Sequence, residues 1–267
     1  MTHSASSRDI IATCWITQDC YHYHPQVWSI GVFVHPLYRS RGLGSLLYQH
    51  IHDLATLHPP VQFRKRLRED QIDGQTFYFL RRKKFVEARR LQESVLDISL
   101  IKGERFPSLP HSLRLFPYNS LPDPQPQREQ KYFSLLQALM PDIPLLPPRP
   151  LLSFNDFQRY RLPLLNLACT VIAYDISTSE YVGLCELRKT VDPTKVTMGV
   201  TGVILSYRRQ GIATAMKITA IHLAHKNQIE QIWTTNDRSN MAILRLNVSL
   251  GFKPTHTLID FVASPVT

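Results

Sequence analysis

Residues 206 to 217 read SYRRQGIATAMK, and the types and spacing of Arg208, Arg209, Gln210 and Gly211 are those of an anion seat. The two arginines stand where a helix begins, with Ile212, Ala215, Met216 and Thr219 on one face of it. Positive charge at that end opposes the helix dipole, which favours negative charge there. An anion resting on the first backbone N–H groups removes the conflict. Gly211 takes away a Cβ at the point of closest approach, and the small Ala213 lets the helix sit tight. Two phosphate loops are excluded by composition. GxxxxGK[ST] fails because no Lys-Ser/Thr follows the glycines. GxGxxG fails because Leu47 stands where a third glycine is due after Gly42 and Gly44, and the later stretch holds only Gly211.

The seat occurs twice. VHPLYRSRGLG (34 to 44) aligns with VILSYRRQGIA (203 to 213), pairing Val34 with Val203, Tyr38 with Tyr207, Arg39 with Arg208 and Gly42 with Gly211. FLRRKKF (79 to 85) and NVSLGF (247 to 252) close the two halves at nearly the same offset, Phe85 against Phe252. Such self-similarity marks a tandem duplication.

Each copy must position its seat with the same elements. An extended apolar segment leads in, VWSIGVFV (27 to 34) or VTMGVTGVIL (196 to 205), and an amphipathic helix leads out. Leu43, Leu46, Leu47, Ile51 and Leu54 share one face of the first helix; Ile212, Ala215, Met216, Thr219 and Leu223 share one face of the second. QIEQIWTTN (228 to 236) then reads as a strand with a polar end, giving a βαβ unit and an α/β or α+β fold. Residues 107 to 150 hold eleven of the nineteen prolines, yet QREQKYFSLLQALM (127 to 140) keeps a helical face of Phe133, Leu136 and Met140. SFNDFQRYRLPLL (153 to 165) opens on a Ser153 cap. ACTVIAYD (168 to 175) and EYVGLCELRKT (180 to 190) read as a hairpin.

The twice-seen pattern (Arg/Gln)-x-x-Gly-x-(Gly/Ala), after a strand and opening a helix, resembles the coenzyme A pyrophosphate loop of the GNAT family of N-acyltransferases. TTNDRSNMAILRLNVSLGF (234 to 252), with Asn236, Asn240 and Gly251-Phe252, is similar to the family's closing segment. The resemblance implies two GNAT-like domains, each a mixed sheet with a splayed central strand flanked by helices: a truncated, degenerate copy at 1–104 and a complete copy at 105–267. It implies an acetyl-CoA-dependent N-acetyltransferase, with direct attack of an acceptor amine on the thioester and no metal. Gly202 and Val203 would offer main-chain groups to the pantetheine. Arg208, Arg209, Gln210, Gly211, Ile212, Ala213 and Thr214 would hold the pyrophosphate, and Asn236 and Asn240 would face the thioester end. Direct transfer needs a base for the amine and an acid for the leaving thiolate. Asn247 stands where many members carry the tyrosine acid. Glu186, in the strand flanking the splayed one, is the candidate base if burial raises its pKa.

The first copy departs from the pattern. About 26 residues precede its central strand against about 90 (105 to 195) in the second. Lys84 replaces the closing glycine, and no asparagine pair matches Asn236 and Asn240. It reads as a scaffold whose missing pieces expose apolar surface favouring a homodimer. The alternative to an enzyme is a non-catalytic acyl-CoA-binding or assembly protein. The net charge of +10 points to an anionic partner, and residues 64 to 90 hold ten Lys or Arg against four acids. No aromatic-interleaved or helix-turn-helix pattern accompanies them, so they read as a solvated face rather than a nucleic-acid footprint. No run approaches the ~20 apolar residues of a membrane span, and MTHSASSRDIIATCW lacks a signal core. Cys14, Cys20, Cys169 and Cys185 form no CxxC or metal spacing. They read as reduced thiols of a cytoplasmic protein, and the resemblance to tandem GNAT proteins implies a bacterial one.

Overall fold

A computed structural model describes residues 9–18, 24, 26–56, 60–100, 107–143 and 153–265. In chain order the main elements are β1 (Ala12–Thr17), β2 (Val27–Val34), α1 (Leu43–Ala55), β3 (Gln62–Arg68), α2 (Gly74–Arg82) and β4 (Val86–Asp97). Then come β5 (Leu113–Pro117), α3 (Gln125–Leu139), α4 (Phe154–Asp156), β6 (Val171–Asp175), β7 (Glu180–Lys189) and β8 (Lys195–Val203). α5 (Ile212–Lys226), β9 (Gln231–Asp237), α6 (Met241–Ser249) and β10 (Lys253–Ala263) complete the chain. The run β1-β2-α1-β3-α2-β4 repeats as β7-β8-α5-β9-α6-β10, and among the described residues β5, α3, α4 and β6 have no counterpart in the first run.

The chain forms two compact units: residues 1–67, 71–89 and 259–267, and residues 68–70 and 90–258. In the first, the strand order is β1-β2-β3-β10, with β1 antiparallel to β2 and β2 parallel to β3. Its core joins Ile30 and Phe63 from the strands, Tyr48, Ile51 and Leu80 from the helices, and Ile259, Phe261 and Ala263 from β10. The inward alternation of Cys14 and Ile16 on β1 is the half-buried strand pattern.

In the second unit the order is β4-β9-β8-β7-β6-β5. β5 to β8 form an antiparallel meander, β8 runs parallel to β9, and β4 runs antiparallel to β9 from Leu91–Asp237 to Asp97–Gln231. β6 and β7 are buried along almost their whole length because both faces are covered. α5 packs on one through Ile212, Met216, Ile218 and Ile221. α3 packs on the other through Tyr132, Leu135, Leu136 and Leu139.

The closing strands are therefore exchanged. β4 ends the first run in sequence but pairs with β9 of the second, while β10 ends the second run and lies beside β3 of the first. Within the first unit Asp260, 1% exposed, fixes that end of β10. Its carboxylate accepts from Arg66 Nε and Nη2 at 2.7 and 2.9 Å and from Arg89 Nε at 2.8 Å.

Candidate active site

The repeated seat has one geometry, built twice. A single 3-10 turn, Pro36–Tyr38 or Leu205–Tyr207, leaves the strand. The next arginine turns back to donate Nε to the strand's last carbonyl, Arg39 to Val34 at 3.1 Å and Arg208 to Val203 at 2.9 Å. Then come two left-handed residues, Ser40 (φ 60°) and Gly42 (φ 83°), or Arg209 (φ 62°) and Gly211 (φ 74°). Neither Gly42 nor Gly211 caps its helix by a side chain, and no acid sits in either first turn. In the second copy the N–H groups of Arg209, Gln210, Gly211, Ile212, Ala213 and Thr214 have no acceptor among the described residues. A run of N–H groups with left-handed residues in it is a concave anion nest, here at the positive end of the 15-residue helix α5. Arg208 also pairs with Asp142, so Arg209, exposed, is the guanidinium with no pairing of its own among the described residues. A Cβ on Gly211 would meet Pro107 at 3.1 Å.

Ahead of the nest the sheet opens. The parallel β8–β9 ladder runs from Lys195–Gln231 to Met198–Thr234 and stops, although both strands continue. From Gly199 to Val203, β8 holds among the described residues to β7 alone, through Cys185–Thr201, Leu184–Gly202 and Gly183–Val203. The Val203 carbonyl is occupied by Arg208, so what this strand can offer a ligand comes from groups before it.

Glu186 sits at the β7 bulge, where the register slips between Cys185 and Leu187. It is fully buried. Oε1 accepts from the Tyr132 hydroxyl at 2.6 Å and Arg161 Nη2 at 2.8 Å; Oε2 accepts from Arg161 Nη2 at 2.8 Å, the Val200 N–H at 3.1 Å and Arg188 Nη2 at 3.4 Å. The raised pKa expected of a buried base is not found. Burial pushes the carboxyl up, but Arg161, then Arg188 and the Tyr132 hydroxyl outweigh it and hold the carboxyl down at about 2. Arg161 lies in the wide-turn segment Phe157–Arg161 after α4, and Ser153 caps α4 by accepting from the Asp156 N–H at 3.0 Å.

The asparagines divide. Asn240 is exposed and caps α6, its Oδ1 accepting from the Ile243 N–H at 3.3 Å. Asn236 lies on β9 two residues past the end of the ladder. Asn247, 2% exposed, donates Nδ2 to Asn236 Oδ1 at 2.8 Å and accepts on its own Oδ1 from Lys217 Nζ at 2.8 Å. Lys217 carries no signal in the sequence that marks it as part of the site. A lysine five residues past a solvent-facing helix start reads from the sequence as surface. α5 is buried nearly all round, and Lys217 is 1% exposed. Burial pulls its ammonium down to about 8. Cys185 is fully buried and its thiol is raised by desolvation, an inert core thiol rather than a nucleophile. Cys14 and Cys169 are likewise free thiols, and Cys20 lies outside the described residues.

Much of the basic run is engaged by partners within the same unit as each residue. Arg66 and Arg89 hold Asp260, Arg68 pairs with Asp70 and Arg90 with Glu69. Lys65, Arg81, Arg82 and Lys83 lie over the rings of Trp15, Phe77, Tyr78 and Tyr48. Among the described residues no helix is long and apolar enough to cross a membrane.

Solved structures of the GNAT fold superpose on this arrangement of strands, turn and helix. A GCN5-related N-acetyltransferase from Sphaerobacter thermophilus superposes with a TM-score of 0.73 at 17% identity, over 96% of this chain and 78% of its own. A tandem GNAT protein from the clavulanic acid biosynthesis pathway superposes with a TM-score of 0.68 at 18% identity, over 91% and 76%. A GCN5-related N-acetyltransferase from Kribbella flavida gives 0.59 at 14%, over 90% and 82%. No protein-family model matches the sequence, and no curated protein matches it. The chain has the GNAT fold, a mixed sheet flanked by helices, and one of these neighbours is itself a tandem GNAT protein.

Proposed function

We propose that this protein is an N-acetyltransferase that moves an acetyl group from acetyl-CoA to an acceptor amine in the copy spanning 105–267. The observation that carries the reading is the run of six unengaged N–H groups from Arg209 to Thr214, at the positive end of α5 and directly after a strand that has left its neighbour. That arrangement suits a diphosphate with an extended amide-bearing arm. Arg208, through Asp142 and Val203, fixes the nest; Arg209, Gln210, Gly211, Ile212, Ala213 and Thr214 surround the diphosphate. Gly202 and its neighbours on β8 meet the arm, with Asn236 toward its sulfur end and Asn240 at the head of α6. The bound thioester supplies the activated acyl group.

Glu186, ionised and held by two arginines, accepts no proton near neutral pH. Its part is to tie β8 to the bulge through the Val200 N–H. Asn247 has no acidic proton to give. The lack of a free acid–base pair at these positions favours one second reading, a protein that binds acyl-CoA without turning it over. The seat at Arg39 to Gly44 belongs to the copy that carries Lys84 at its closing turn and no match for the Asn236 and Asn240 pair, and we assign it a scaffold role.

Calorimetric titration of acetyl-CoA into wild type, Gly211→Glu and Gly42→Glu tests all of this. One site is expected, weakened at least about 100-fold by Gly211→Glu, which fills the nest with a carboxylate, and unchanged by Gly42→Glu, with melting curves confirming both variants folded. Two sites, one lost with each substitution, would refute the scaffold assignment. Absence of binding to the wild type would refute the proposal, and binding without turnover on a broad amine panel would leave the second reading.

A further inference from the structure

Lys217, Asn247 and Asn236 form a chain of hydrogen bonds whose direction is fixed from one end. An ammonium only donates, so the Asn247 atom facing Lys217 must be Oδ1. Asn247 must then present its NH2 to Asn236, whose facing atom must be its oxygen, also approached by the Thr234 hydroxyl at 3.2 Å. The Asn236 NH2 is thereby turned away from the chain. It has no partner among the described residues, it is half-buried, and it lies just past Met198–Thr234, where the sheet opens.

The duplication supplies an internal control. At the offsets that superimpose the seats, the ladders and the closing turns, the first copy carries Tyr48 for Lys217, Leu80 for Asn247 and Leu67 for Asn236. Tyr48 and Leu80 are core residues of their unit, and Leu67 packs against that core. The same helix-on-sheet arrangement is thus built without the polar chain, at positions where apolar side chains are the cheaper occupants. What keeps a buried cation there is not the packing of this fold.

We propose that Lys217 is a positioning residue of the acyl-transfer site: its buried ammonium orients Asn247 and Asn236 so that the Asn236 N–H groups, backed by that positive charge, meet the sulfur of a coenzyme A thioester as it becomes a thiolate. This rests on the reading of the second copy as a coenzyme A site. Among the described residues, the groups packed on the ammonium leave its charge uncompensated. β7 offers the Cys185 thiol, the one titratable group acting on it; β8 offers the Met198 sulfur at 2.9 Å; α6 offers Asn247; and the ring of Phe252 lies 5.7 Å away. Glu186, next along β7, is committed to Arg161, Arg188 and Tyr132. Uncompensated positive charge in a dry site stabilises an anion that forms beside it. No carboxylic acid or phenol is then needed at position 247, because a leaving thiolate held in this way departs unprotonated.

The test is the thiol titration of bound coenzyme A, followed by thiolate ultraviolet absorbance as the difference from the same protein saturated with desulfo-coenzyme A. In the wild type the bound thiol is expected to ionise about one pH unit or more below the free thiol. In Lys217→Met, which keeps the volume, it should return to the free value while coenzyme A affinity at neutral pH changes less than about threefold. Asn247→Leu, which keeps the lysine and cuts the chain, is expected to shift the titration the same way and serves if Lys217→Met does not fold. Identical titrations in wild type and variants, with coenzyme A bound in all, would overturn this inference alone. Failure of the wild type to bind coenzyme A would overturn it together with the proposed function.

Discussion

At the scale of single residues, the same physical event, complete burial, has opposite outcomes on two side chains a short way apart. Glu186 and Lys217 both lose their water. Glu186 recovers six hydrogen bonds from Tyr132, Arg161, Val200 and Arg188 and stays charged far into acid, whereas Lys217 meets no carboxylate among the described residues and gives up its proton more readily. Removing one partner from a buried ion pair strands the others, so Glu186→Ala is expected to destabilise the protein by about 3–5 kcal/mol in chemical denaturation. Its pH signature follows from a depressed carboxyl. The stabilising contribution is fully present above the unfolded pKa of about 4.3 and is lost as pH falls through the folded value of about 2. Denaturation midpoints for wild type and Glu186→Ala should therefore differ by a constant amount from pH 5 to 8 and converge below about pH 4. A gap that widened in acid would contradict the assignment. From sequence, Glu186 reads as a candidate base. Arg161, 25 positions away, decides the matter and carries no local signal.

At the scale of elements, legibility followed locality. The strand, seat and helix were readable because each depends on neighbours within a few residues: Arg208 reaching Val203, Gly211 at positive φ, Ser153 capping α4. The closing turns show how far such reasoning extends. Lys84 stands at φ 58° where Gly251 stands at φ 86°, and the turns share two closing bonds, Lys84 N–H to Arg81 and Phe85 N–H to Leu80 in one, Gly251 N–H to Val248 and Phe252 N–H to Asn247 in the other. The loss of the glycine, which reads as degeneration, left the turn intact at the cost of a strained lysine. Lys84→Gly is accordingly expected to stabilise the protein by about 0.5–1 kcal/mol, measured as a shift of the urea midpoint at unchanged slope. A decrease would mean that the lysine side chain makes a contribution exceeding its backbone strain. What could not be read was which strand lies beside which. β4 and β10 each carry an ordinary strand pattern, and either could close either run, because strand pairing is a long-range choice that period and composition do not record.

At the scale of the whole molecule, that exchange makes the two runs of the duplication mutually dependent, whatever the sequence boundary between them. Residues 105–267 alone would lack Leu91–Asp97, the segment that covers the outer edge of β9, and an uncovered strand edge invites aggregation. Residues 1–104 alone would lack Ile259, Phe261 and Ala263 from their core, and with them the Asp260 carboxylate that Arg66 and Arg89 share. Three apolar side chains at about 1.5–3 kcal/mol each exceed what a small unit can spare, since whole domains are stable by only about 5–15 kcal/mol. Each half expressed separately is therefore expected to be poorly soluble and to melt without a cooperative transition. The two halves expressed together should form a 1:1 complex that melts as one transition near the intact chain and binds coenzyme A. Circular dichroism melts and size-exclusion chromatography of the three samples decide it. A cooperative, monomeric 105–267 fragment would show that the second run completes its own sheet without β4, and that the exchange is a preference of the intact chain rather than a requirement of either half.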